Sequence, residues 1–74
     1  MTAKEMLKEL GYIQDKEPRF NSIISYTQYC SDGCCRINDL VFYKNGFECD
    51  ECFITLELFK AINKQVEELG WLDE

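Results

Sequence analysis

The sequence predicts an α+β fold, a small three-stranded antiparallel sheet flanked by an N-terminal and a C-terminal helix, with a zinc-ribbon-like cysteine site. Three observations predict it. Both ends carry helix start and stop residues, in Met1-Thr2-Ala3-Lys4-Glu5 with Leu10-Gly11-Tyr12 and in Ile54-Thr55-Leu56 with Leu69-Gly70-Trp71. The middle is rich in β-branched and aromatic residues, punctuated by Asp32-Gly33 and Asn45-Gly46. Four of the five cysteines fall in two close pairs, Cys30 with Cys34 and Cys49 with Cys52.

Thr2 stands at an N-cap, and Glu5 three residues later completes a capping box, each side chain satisfying the other's backbone N–H. Met6, Leu7 and Leu10 then mark one face of a helix over residues 3–10, and Gly11 is its left-handed stop, which lets Tyr12 fold back on Leu7. Residues 15–22, with Pro18, read as a loop. Residues 23–29 have the composition of a strand. Ser31-Asp32-Gly33 is a three-residue hairpin loop with glycine at the positive-φ position, and a second strand runs from about Cys34 to Tyr43 with a bulge near Asn38. Asn45-Gly46 marks the next hairpin, and Phe47 begins the third strand. Thr55 caps the last helix, with Phe59, Ile62, Val66 and Leu69 as its apolar stripe. The aromatic residues Phe42, Tyr43, Phe47, Phe53 and Phe59 fall on strand and helix faces and are expected in the core.

The 74 residues make one domain, residues 1–74, whose core is small enough that a staple is expected. No apolar run of signal-peptide or membrane-spanning length is present, so a cytoplasmic location is expected, where thiols stay reduced. An odd number of cysteines also cannot pair off completely. Charge is uneven: residues 1–45 balance six basic against six acidic side chains, and the entire net charge of −6 lies in residues 46–74. Such a surface repels phosphate backbones, which argues against direct nucleic-acid binding and for a partner protein with a basic surface.

A three-residue loop would set Cys30 and Cys34 opposite each other on one face and turn Cys35 to the other face, with Tyr29 and Ile37, as a core residue. A tight turn at Asp50-Glu51 would bring Cys49 and Cys52 together. The full pattern is Cys-x3-Cys, fourteen residues, then Cys-x2-Cys. It is close to a ribbon in which two loops clamp one tetrahedral Zn²⁺ through Cys30, Cys34, Cys49 and Cys52. The first pair has three intervening residues rather than two, and no glycine follows the second cysteine of either pair. The competing uses are five reduced cysteines as compact apolar residues, and a redox switch; structural zinc is favoured.

Catalysis has little to stand on. The chain has no histidine, so the commonest general base is missing, and a tetrathiolate zinc has no open position. The four glycines are isolated rather than gathered in a phosphate loop.

The opening Met-Thr-Ala-Lys-Glu-Met with Leu-Gly-Tyr, and the closing Ile54-Thr55-Leu56, Lys60 to Gln65 and Glu68-Leu69-Gly70-Trp71, resemble small proteins encoded by phages and prophages of Gram-positive bacteria. Within that group, a compact acidic cysteine-bearing member resembles the type II anti-CRISPR proteins, inhibitors of Cas9. The resemblance implies Cas9 as partner and interference with guide or target DNA engagement, by a monomer or weak dimer. It transfers no catalytic residue. Cas9 holds its nucleic acids in positively charged channels, so the acidic side chains expected to meet it are Glu67 and Glu68, placed outward beside the last helix stop, with Glu57, Asp50 and Glu51. Two other classes compete: a phage regulatory adaptor acting on another host protein, and a zinc-ribbon nucleic-acid module, which the charge disfavours.

Overall fold

The computed structural model describes residues 1–71. Its elements are α1 (Ala3–Glu9), β1 (Tyr12–Gln14), β2 (Ile24–Tyr29), β3 (Arg36–Phe42), β4 (Phe47–Cys49) and α2 (Leu56–Glu68). The capping box forms as written: the Glu5 N–H donates to Thr2 Oγ1 and the Thr2 N–H donates to Glu5 Oε1. At the other end of the chain α2 starts on the Thr55 hydroxyl, which accepts from the Leu58 N–H. It stops through paired bonds from Gly70 to the Glu67 carbonyl and from Trp71 to the Val66 carbonyl.

The four strands form one antiparallel meander in the order β1-β2-β3-β4, one strand more than expected. The extra strand is β1, in which Tyr12, Ile13 and Gln14 pair with Gln28, Thr27 and Tyr26. Three residues are too few to display a period of two, and Tyr12 reads equally well as the residue after a helix stop. It serves both ends, since it lies in one buried cluster with Leu7.

Register puts Tyr12, Tyr26, Leu40 and Phe42 on one face of the sheet. They are buried there with Leu7 from α1 and Leu58, Ala61 and Ile62 from α2. Phe42 is the hub of this layer, with its ring 6.4 Å from Tyr26, 5.7 Å from Phe47 and 6.1 Å from Trp71. The face of α2 differs from the expected stripe: Leu58, Ala61, Ile62 and Gln65 are buried, while Phe59 is 60% exposed. Leu58 and Phe59 are neighbours on the helix, and only one can head the buried stripe. Buried Gln65 accepts the hydroxyl proton of Tyr26, so a polar helix residue answers the one polar atom of a core ring. Phe47 and Phe53 are also exposed, and of the five aromatic residues expected inside only Phe42 is fully buried.

The opposite face is polar. The segment between β1 and β2 lies over it, with Asp15 accepting from Ser25 and Thr27 and Arg19 reaching Asp39 at 2.6 Å. Ser25 and Thr27 are thereby buried with partners, as buried hydroxyls require. No helix among the described residues is long and apolar enough to cross a membrane.

Candidate metal centre

β2 and β3 run on past the helices into an exposed hairpin. Gln28 faces Asn38 and Tyr29 faces Arg36, so Ile37 is the extra residue of a β-bulge, next to Asn38 as expected. A four-residue loop in place of three moves the register at the tip by one, and the bulge moves it by one more toward the body. Cys30 now stands opposite Cys35, its N–H bonded to the Cys35 carbonyl at 2.9 Å, and residues 31–34 form the loop. The Gly33 N–H donates to the Cys30 carbonyl at 2.8 Å and Gly33 takes a φ of +77°, a conformation that costs any residue with a Cβ.

Cys35 is therefore not a core residue. It is exposed, as are its expected neighbours Tyr29 and Ile37. The hairpin brings Cys30, Cys34 and Cys35 together, with their sulfurs all within 4.8 Å of one another, close enough to hold one metal ion. Cys30 Sγ lies 3.8 Å from Cys34 Sγ and 3.0 Å from Cys35 Sγ. Asp32, at the centre of the loop, places Oδ1 2.6 Å from Cys30 Sγ and 3.0 Å from Cys34 Sγ, and the same oxygen accepts the Cys34 N–H at 3.3 Å.

These contacts set the local acidities. The two thiol hydrogen bonds, Cys30 first and Cys34 second, hold the Asp32 carboxyl down at about 2. That same carboxylate pushes the Cys34 thiol up. On Cys30 it also pushes upward, but the Cys35 thiol and the Cys35 N–H, aimed at Cys30 Sγ from 3.3 Å, pull the other way and the net shift is down. Cys30 therefore gives up its proton before Cys34 does.

The second expected pair does not join. Cys49 pairs with Leu40 in β4 and packs, partly buried, against the apolar cluster. Leu40 is five residues along β3 from Cys35, about 16 Å of extended chain. Cys52 is exposed in the segment after β4 and belongs to no close group of three metal-binding side chains among the described residues. The expected turn at Asp50-Glu51 is not there, since the chain bends at Cys52 and Phe53; Glu51 instead accepts the Tyr12 hydroxyl at 2.6 Å, and burial and this bond push the Tyr12 phenol well above its usual range. The roles foreseen for Cys35 and Cys49 are thus exchanged. The sequence cue for the observed trio is that Asp32 sits between Cys30 and the adjacent Cys34-Cys35, where a short side chain reaches both neighbours.

Of the five carboxylates expected to face a partner, three are occupied within the fold. Glu51 holds Tyr12, Asp50 accepts the Asp39 N–H at 3.2 Å, and Glu68 accepts the Ala3 N–H at 2.8 Å, against the first turn of α1. Glu67 lies 3.8 Å from Lys64 at the surface, and Glu57 is exposed in the first turn of α2. Asp50 and Glu68 stay exposed despite these bonds, so of the five only Glu51 is partly withdrawn from the surface.

Comparison with known proteins adds no relative: the chain matches no family model, no curated protein and no solved structure.

Proposed function

We propose that this chain is a non-enzymatic binding protein whose β2–β3 hairpin is stapled by a structural Zn²⁺, and that its target is Cas9. The observation that carries the zinc half is the convergence of the Cys30, Cys34 and Cys35 sulfurs at one hairpin tip. A tetrahedral zinc thiolate has Zn–S bonds of about 2.3 Å, which sets an S···S edge of about 3.8 Å. The separation of Cys30 and Cys34 is 3.8 Å; Cys35 needs only a small opening of its contact with Cys30. The metal would order a protruding loop that has no apolar core of its own.

The Cas9 half is supported by the resemblance to phage-encoded proteins and by the net charge of −6. Three thiolates around Zn²⁺ add one further negative charge. Attraction to positively charged channels raises the association rate and falls with salt. A non-catalytic role agrees with a chain that contains no histidine.

Two measurements test the reading. Protein purified under reducing conditions without chelator should carry about one zinc per chain, since a folded thiolate site retains its ion; less than half an equivalent would remove the staple. Cleavage of target DNA by Cas9 should be blocked at close to one inhibitor per Cas9, with potency falling across a salt series. No binding to Cas9 would overturn that half and leave the phage adaptor as the function to pursue.

A further inference from the structure

Three thiolates fill three corners of a tetrahedral site, and the fourth corner has few claimants in this fold. Cys49 is held in β4 against the apolar cluster, and Cys52 stands outside the sulfur group. Asp32 is already in place. Its Oδ1 sits 2.6 Å from Cys30 Sγ and 3.0 Å from Cys34 Sγ, and the Cys34 N–H anchors that oxygen. In the metal-free hairpin this oxygen accepts the two thiol protons. When an ion displaces those protons, the same oxygen is left facing the cation between the two sulfurs.

We propose that residues 30–35 form a self-contained Cys₃Asp metal site, with Cys30, Cys34 and Cys35 as thiolate ligands and Asp32 as the fourth, oxygen ligand. This inference rests on the zinc reading above and specifies its ligand set. Zinc accepts such mixed donors, with Zn–O bonds of about 2.0 Å, which together with Zn–S of about 2.3 Å sets an O···S edge of about 3.5 Å. The Asp32 oxygen thus has to retreat from the Cys30 and Cys34 sulfurs by less than about 1 Å and to close on Cys35, since it lies outside the group of sulfurs within 4.8 Å of one another, a rearrangement that the exposed loop has to supply. The proton balance is simple: each ion that binds displaces the protons still held by the three thiols into the buffer, and the carboxylate, already ionised, releases none. Because all four donors come from six consecutive residues, the site depends on the hairpin turn and not on β4.

The test is a titration of the whole reduced protein with Co²⁺, whose charge-transfer and d–d bands report the number of sulfur ligands. Wild type, Cys49→Ser and Cys52→Ser should each bind one ion with the same spectrum and affinity. Asp32→Asn, which keeps the size of the loop side chain, should weaken binding by about tenfold or more, the scale on which site-tuning groups act, and shift the d–d bands. Asp32→Cys should bind and move the bands toward a four-sulfur pattern. Unchanged affinity and bands in Asp32→Asn would overturn the proposal by making the fourth ligand something else, while the zinc reading stood. Loss of binding in Cys52→Ser would also overturn it, in favour of a ribbon site. Wild type that binds neither Co²⁺ nor Zn²⁺ would remove the metal reading and the ligand assignment together.

Discussion

The same two strands, β2 and β3, live in two environments. In the body of the domain, Ser25, Tyr26 and Thr27 on one strand and Leu40, Val41 and Phe42 on the other are all buried, between the helices and the polar strap of residues 15–22. Toward the tip, beyond the bulge at Ile37, every residue from Tyr29 to Ile37 is exposed except partly buried Cys30. The difference separates two duties that a larger protein would spread over separate regions. The body makes the fold and asks nothing of the cysteines at the tip. The tip has no core to order it and relies on a turn and on the hydrogen bonds that Asp32 accepts.

The sharpest way to break that division is to strike the body. Phe42→Ala removes the ring that touches Tyr26, Phe47 and Trp71, and should cost about 3–5 kcal/mol, enough to unfold a domain this small. Denaturant unfolding measures it, and a loss under 1 kcal/mol would mean the core lies elsewhere. Next comes Tyr26→Phe, which leaves the buried Gln65 amide without its partner, at a cost of about 1–3 kcal/mol. Burial, aided by the nearby Glu68 charge, raises the Tyr26 phenol from 10.0 to about 12. A raised pKa in the folded state means that this stabilisation is whole below pH 10 and lost as the pH climbs through about 12. Wild-type stability should therefore fall across that window, and the fall should be smaller in Tyr26→Phe, whose ring has no proton to lose.

At the tip the same experiments should read differently. Gly33→Val forces a β-branched residue into positive φ and should cost about 1–2 kcal/mol locally, seen as lost metal affinity and faster amide exchange in residues 30–35, with the body intact. The smallest pair is on α2. Glu68→Lys removes the acceptor of the Ala3 N–H and sets a positive charge at the start of α1, for about 0.5–1 kcal/mol. Glu67→Lys should stay within about 0.5 kcal/mol. Equal melting temperatures for those two variants would mean that Glu68 does not hold α1.

Local chemistry was legible in the sequence, and long-range choices were not. Thr2 with Glu5, Thr55 as a cap, Gly33 in its turn and the bulge beside Asn38 all depend on neighbours within a few residues, and all are found. Which cysteine meets which depended on a register that one residue of loop length reverses, since each step along a strand turns a side chain to the other face. A four-residue loop in place of three exchanged Cys35 for its expected role. The face of α2 turned on the choice between Leu58 and Phe59, which only the sheet decides. Glu68 looked free because its partner, the Ala3 N–H, is 65 positions away.

The order of the meander has a last consequence, for how copies of this chain behave when crowded. Its two outermost strands, β1 and β4, are three residues each, the shortest in the sheet. An edge that short offers an incoming strand only a few backbone groups before the chain leaves the plane. The long strands that would make good templates for sheet growth are both interior and already paired on both sides. High expression should therefore yield dispersed chains rather than fibrils, even though Phe20, Phe53 and Phe59 are all left in water.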